Sequence, residues 1–174
     1  MISFTTRRFA THSIKYVGVV GAGQMGTGIG IVASRVAGLN VTFIDPSGDS
    51  LKRSENFIAN WCQKEIAKER LTKAESEAVI NRIAFSTQIE SLSKADFIIE
   101  AANEDFDLKK IIFSNIARVA PEHAILASNT SSISISKIGG TIPSRADKVI
   151  GMHFMNPVPV MQLVEVIRGL QTSD

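Results

Sequence analysis

Lys15-Tyr-Val-Gly-Val-Val-Gly-Ala-Gly-Gln-Met-Gly26 is the stretch that decides the fold. Its first half is a β-branched, apolar run, the pattern of a buried strand. Its second half, Gly21 to Gly26, spells G-x-G-x-x-G where the strand gives way to a helix. Gly21 permits a tight turn, Gly23 lets a pyrophosphate approach the backbone, and Gly26 lets the helix pack closely on the strand. The helix start, at Gln24 and Met25, offers free N–H groups and a partial positive charge to phosphate. Alone, such a turn is a weak signal. Here Asp45 stands 19 residues after Gly26, at the end of the next strand candidate, Val41 to Ile44. Its carboxylate can accept bonds from both hydroxyls of an adenosine ribose. It would repel a 2′-phosphate, and no arginine directly follows it, so the pattern favours NAD over NADP. The plain alternative is a glycine turn with a solvated aspartate.

Met25 to Ala37 is helix-like, with Gly28 and Gly30 as its only breakers. Residues 47 to 70 form a long helical stretch, and Thr72-x-x-Glu75 reads as a capping box opening a second helix to about Arg82. Strand candidates follow at 84–86, 96–100, 124–127, 148–152 and 163–167, with a helix over 108–119 that Pro121 stops. Strands alternating with helices predict an α/β, Rossmann-like, doubly wound and mostly parallel sheet, with a helical pair inserted after the second strand. Ligands of such sheets bind beyond the carboxyl ends of the strands, which is where the glycine turn and Asp45 fall.

The 174 residues carry 19 Lys+Arg and 17 Asp+Glu, net +2. Residues 1 to 15 hold three bases and no acid, so the remainder carries 16 bases against 17 acids, net −1. The positive sign belongs to the leader, and the body has no basic cluster with interleaved aromatics that would bind nucleic acid. Residues 1–13, MISFTTRRFATHS, are acid-free, rich in Ser and Thr and contain Arg7 and Arg8; they read as a mitochondrial transit peptide, with the matrix as destination. A short tail is the bland alternative, and His12 within it has no assigned role. Residues 14–174 then make one domain. No apolar run is long enough to span a membrane. A single cysteine, Cys62, excludes a disulfide framework and a cysteine-based zinc site, and reads as a buried helical thiol. No metal is expected.

Four stretches together resemble the L-3-hydroxyacyl-CoA dehydrogenase family: GAGQMGTGIG at 21–30, IEAANEDFDLK at 99–109, SNTSS at 128–132 and GMHFMNPVPVMQLVEVI at 151–167. The resemblance runs from about Ile14 to the end and matches that family's N-terminal NAD-binding domain. It implies NAD-dependent oxidation of (S)-3-hydroxyacyl-CoA to 3-oxoacyl-CoA in fatty-acid β-oxidation. The family is homodimeric through a helical domain that does not follow here, so the other reading is a truncated NAD-binding domain with little activity alone.

By resemblance, His153 is the catalytic base, Glu165 its carboxylate partner, and Ser131 a contact to substrate and cofactor. Asp45 is the ribose acid, Glu104 and Lys109 line the nicotinamide side, and Lys68 touches CoA. The family often has a small polar residue seven positions before that lysine; this chain has Trp61, which otherwise reads as a core or interface aromatic.

The chemistry suits these residue types. Oxidising a secondary alcohol requires a base for the hydroxyl proton, and histidine titrates near neutral pH. A carboxylate on its other nitrogen orients the ring and stabilises the imidazolium. His153 and Glu165 are 12 residues apart, separated by Asn156-Pro-Val-Pro159, whose prolines force a turn that would return Glu165 beside His153. Bland readings stand beside these. A lone histidine after a strand is commonly structural, and Ser128, Ser131 and Ser132 could form an ordinary polar loop. Glu100 and Glu104 could be solvated acids at a helix start, with Glu104 preferred as the functional one. Asn156 lies near the nicotinamide end or shapes the turn, and His123 falls in an exposed turn.

Overall fold

The computed structural model describes residues 14–174; the expected transit peptide at 1–13, with His12, lies outside the described residues. Seven strands form one sheet: β1 (Tyr16–Val20), β2 (Asn40–Ile44), β3 (Ile83–Ser86), β4 (Phe97–Glu100), β5 (Ile125–Ser128), β6 (Val149–Phe154) and β7 (Val164–Arg168), in the order β3-β2-β1-β4-β5-β6-β7. The first six run parallel, and β7 returns antiparallel beside β6. Helices α1 (Gln24–Arg35), α2 (Gly48–Ala67), α3 (Lys73–Asn81), α4 (Phe106–Val119) and α5 (Ile135–Gly139) cover the two faces. The expected doubly wound sheet with a helical pair after β2 is what forms.

Parallel strands need both faces covered, which is why β1 and β4 read as nearly continuous apolar runs. Successive side chains alternate between two cores. Val17, Val19, Phe43 and Ile99 pack with Ile29 and Ile31 of α1, Ile58 and Cys62 of α2 and Val79 of α3. Val20, Ile44, Ile98 and Leu126 pack on the other face with Phe113 and Ile116 of α4 and Ile138 of α5. Cys62 is the buried thiol expected, and its burial pushes its pKa up.

The helical pair has a defined joint. Thr72 Oγ1 accepts the Glu75 N–H, and the Glu75 carboxylate accepts the Thr72 N–H at 2.7 Å, so the capping box is complete. Replacing Thr72 with Ala should cost about 1 kcal/mol. A shifted urea midpoint with an unchanged slope would show it; an unshifted midpoint would mean the cap is idle.

Between Ser132 and Lys148, where no element was expected, the chain makes α5 and a 3₁₀ turn over Pro143–Lys148. Five residues are too few for a hydrophobic period to show. Local capping and a distant latch define the segment instead. Ser134 Oγ accepts the Lys137 N–H, and the Arg145 guanidinium donates to the carbonyls of Ala120, Pro121 and Ala124 at 3.1, 2.8 and 3.0 Å.

Candidate active site

β1 and β4 are neighbours, yet the chain leaves their carboxyl ends in opposite directions. The crevice opens at this reversal, the position at which doubly wound sheets bind ligands. Gly21 turns out of β1 at φ +104°, and a side-chain Cβ there would lie 2.6 Å from the Ala101 carbonyl. A Cβ on Gly26 would lie 1.9 Å from the Gly21 carbonyl, whereas one on Gly23 would meet nothing within 4 Å. Gly26 is therefore closed by packing, and Gly23 is open toward the crevice. Asp45 sits at the mouth, its Oδ2 accepting the Ala22 N–H and its Oδ1 the Ser47 N–H, both at 2.9 Å. These bonds fix the carboxylate beside the glycine turn. The cleft beyond measures about 630 Å³ and is lined by Gly21, Gly23, Asp45, Ala102, Ile89 and Leu108 among others.

A second cluster lies at the end of β6. In the antiparallel pairing His153 stands directly opposite Glu165, so their side chains share one face. His153 Nδ1 is 2.8 Å from Glu165 Oε2. An ionised carboxylate can only accept, so Nδ1 is the donor of this bond, and in the neutral ring Nε2 keeps the lone pair. The turn between them contains a cis Asn156–Pro157 bond, and Asn156 Oδ1 accepts from Gln24 Nε2 at 3.0 Å, joining this turn to the glycine motif. A cavity of about 300 Å³ runs past His153 and Glu165 along Ser131, Ser132 and Ser134.

Between the two clusters is a charged trio. Glu100 and Lys109, 0% and 1% exposed, pair at 2.7 Å, and the same ammonium is 3.4 Å from Glu104. Glu104 Oε1 accepts the backbone N–H groups of Ser131 and Ser132 at 3.0 and 3.1 Å, and the hydroxyls of Thr130 and Ser132. Burial pushes the Glu104 carboxyl up, but the Thr130 and Ser132 bonds and the Lys109 charge outweigh it and hold the pKa at about 2. The folded value lies below the ordinary 4.5, so this stabilisation is complete above about pH 4.5 and is lost as the pH falls through about 2. Glu104→Gln should therefore flatten the acid limb of stability over that window. Urea melts of both proteins from pH 5 to pH 2 would test this, and parallel curves would refute it. The difference between them matters, because Asp96 shares the direction of shift.

A model of the 3-hydroxyacyl-CoA dehydrogenase NAD-binding domain matches residues 16–174. This chain belongs to that family. NAD is the cofactor of its domain, and the crevice fits it: an open backbone at Gly23, a start of α1 that receives no side-chain cap from its N-cap residue, and a fixed carboxylate at Asp45 where a ribose would lie. The family member is similar to 3-hydroxybutyryl-CoA dehydrogenase of Bradyrhizobium diazoefficiens, 42% identical over 92% of this chain and 54% of that protein. It is also similar to 3-hydroxyadipyl-CoA dehydrogenase of Escherichia coli, 39% identical over 92% of this chain and 34% of that one. The crystal structure of (S)-3-hydroxybutyryl-CoA dehydrogenase from Ralstonia eutropha superposes with a TM-score of 0.89 at 50% identity, over 93% of this chain and 56% of that chain. The chain spans about half the length of the curated relatives it first matches, 55% and 54%.

Within this family member, the structure brings His153, Glu165 and Ser131 to one cavity, and Gly21, Gly23 and Asp45 to the crevice. Gln24 and Asn156 bridge the two, and Met25 packs against the core. One reading needs correction. Glu100 is not a solvated acid at a helix start: it ends β4 with no exposure, and Asp105 caps α4. Lys109, which by resemblance lines the nicotinamide side, is 1% exposed, with its ammonium 2.7 Å from Glu100 and 3.4 Å from Glu104. Lys68 is not in either cluster. It caps the far end of α2, a 20-residue helix of about 30 Å whose other end lies near Asp45. Trp61 is half-buried against the core beneath the Arg35 guanidinium, 5.2 Å from its centroid. His123 is 44% exposed and 3.1 Å from Asp96. Sequence reasoning passed over Glu100 and also Asn129, whose Oδ1 accepts the Phe154 N–H next to His153 at 2.8 Å. The usable signal for Glu100 was an acid closing an otherwise apolar strand, Phe-Ile-Ile-Glu.

Proposed function

We propose that this chain is the cofactor half of an NAD-dependent 3-hydroxyacyl-CoA dehydrogenase, oxidising the 3-hydroxyl of an (S)-3-hydroxyacyl-CoA to a ketone. The observation that carries the reading is the His153–Glu165 pair at 2.8 Å, one strand end away from the dinucleotide crevice. His153 Nε2 takes the hydroxyl proton, Glu165 orients the ring and stabilises the imidazolium, and Ser131 hydrogen-bonds the substrate oxygen. When bound, NAD supplies the nicotinamide that accepts the hydride. Gly21, Gly23, Gln24, Met25 and Gly26 would hold the pyrophosphate and Asp45 the ribose, and Asn156 and Glu104 would border the nicotinamide, with Lys109 behind Glu104. Lys68 is the candidate contact for CoA, supported by family resemblance alone.

Names of the relatives support a 3-hydroxyacyl-CoA substrate class. The basic, acid-free leader supports a mitochondrial address, and hence a place in fatty-acid β-oxidation; import of a fusion of residues 1–13 to a reporter would test the address. The decisive assay is NADH binding measured together with acetoacetyl-CoA-dependent NADH oxidation by the purified chain. Binding with turnover is expected. Binding without turnover would reduce the chain to a cofactor-binding domain, and absence of both would overturn the reading.

A further inference from the structure

Glu100 lies beneath the loop that joins the two clusters and lines neither cavity. Its Oε1 accepts from Lys109 Nζ at 2.7 Å and from the Ala102 N–H at 2.8 Å, and its Oε2 accepts from Ser128 Oγ at 2.6 Å. The Glu100 carbonyl also accepts the Asn129 N–H at 2.8 Å. Asn129 in turn holds the backbone immediately after His153. The side chains of Glu100, Lys109 and Ser128 are buried, and Asn129 is half-buried. Lys109 therefore has two anionic partners, Glu100 behind it and Glu104 in front, at 2.7 and 3.4 Å.

We infer that Glu100 is a positioning residue for the active site. It anchors the Lys109 ammonium, and so sets where Glu104 stands and where the Ser131 loop is held. A buried ammonium without a counter-ion is expensive, so Lys109 must keep a carboxylate close. With Glu100 in place, Lys109 sits at 2.7 Å from it and Glu104 remains free to gather five groups from residues 130–132. With Glu100 neutral, Glu104 becomes the sole carboxylate on that ammonium and is drawn inward. Its bonds to the Ser131 and Ser132 amides lengthen, and Ser131 loses its fixed position. Ser128 and Asn129, tied to the same residue, carry the disturbance toward Phe154 and His153. The inference rests on the proposed roles of Ser131, Glu104 and His153.

The test uses Glu100→Gln, Glu104→Gln and the double variant, with amide exchange of Ser131 and Ser132 as one readout and NADH affinity as the other. Glu100→Gln should speed exchange at those two amides about tenfold and weaken NADH about tenfold. Amides of Val19 and Phe43, in the core, should keep their protection. In the Glu104→Gln background the same change should add little, because its route to the loop is already cut. Equal acceleration at every protected amide, additive effects in the double variant, or a loop unchanged within about twofold would each overturn the inference. Should Glu100→Gln not fold, Glu100→Gln/Lys109→Met removes both charges at similar volume, a change that buried pairs tolerate. That variant should fold with a loosened loop, because Glu104 loses the ammonium that holds it at 3.4 Å. A protected loop there, or failure of both variants to fold, would make the trio a structural element and overturn the positioning role. If the parent chain binds no NADH, the cofactor reading fails, while the loop exchange still decides this one.

Discussion

Replacing His153 with Gln should leave NADH binding within about twofold and lower turnover by about 10²- to 10⁴-fold, the usual worth of a positioned acid–base group. Glutamine keeps a donor for Glu165 and nearly the same volume, but its amide cannot take a proton at neutral pH. The binding half of the prediction follows from where His153 sits. It lies at the end of β6, against Glu165 and the serine loop, while the glycine turn and Asp45 belong to β1 and β2. Stopped-flow NADH oxidation with acetoacetyl-CoA, beside NADH fluorescence titration, separates the two effects. Near-normal turnover would remove His153 from the mechanism. Parallel loss of binding and turnover would make it a structural residue.

Gly26→Ala should be the most damaging single methyl in the molecule. The added Cβ would stand 1.9 Å from the Gly21 carbonyl, which is backbone and cannot rotate away. Alanine's helix preference returns about 1 kcal/mol, against overpacking of about 1–3 kcal/mol or more. The glycine turn must shift to relieve the overlap, and the N–H groups that would face a pyrophosphate shift with it. A fall in Tm of several degrees and a loss of NADH affinity of about 100-fold are expected. Gly23→Ala is the informative contrast. Its Cβ meets nothing within 4 Å, so Tm should hold while NADH affinity still falls, because the methyl occupies the space that a close phosphate needs. Equal Tm losses in the two variants would show that Gly23 is not open, and an unchanged NADH affinity in Gly23→Ala would remove it from phosphate binding.

Much of the architecture was legible because its signals are local. A β-branched run followed by G-x-G-x-x-G specifies strand, turn and helix within a dozen residues. Thr72 and Glu75 specify a helix start within four, and both oxygens needed for the capping box are present. The His153–Glu165 contact was also within reach, since two strands and a proline turn leave few registers. The buried trio was not. Glu100, Lys109 and Glu104 are charged, and in sequence a charged residue reads as solvated. Only the stacking of α4 over β4, with Ser128 brought alongside by β5, removes water from Glu100 and Lys109 and makes each the other's necessary partner. The α5 segment escaped for a different reason: its defining bonds come from Ser134 and from Arg145 reaching back across more than 20 residues to Ala124.

The sequence by itself determined the strand–turn–helix beginning, the doubly wound sheet, the preference for NAD through Asp45, and the pairing of a histidine with a glutamate. Each depends on spacing along one chain segment or on the chemistry of one residue type. The tertiary structure alone decided that Gly26 is closed while Gly23 is open. It also decided that Lys109 lies buried between Glu100 and Glu104, and that Glu100, set aside as the less functional acid, underlies the loop between the two clusters. Those outcomes depend on which groups lose water when distant segments pack, and desolvation is a property of the assembled fold.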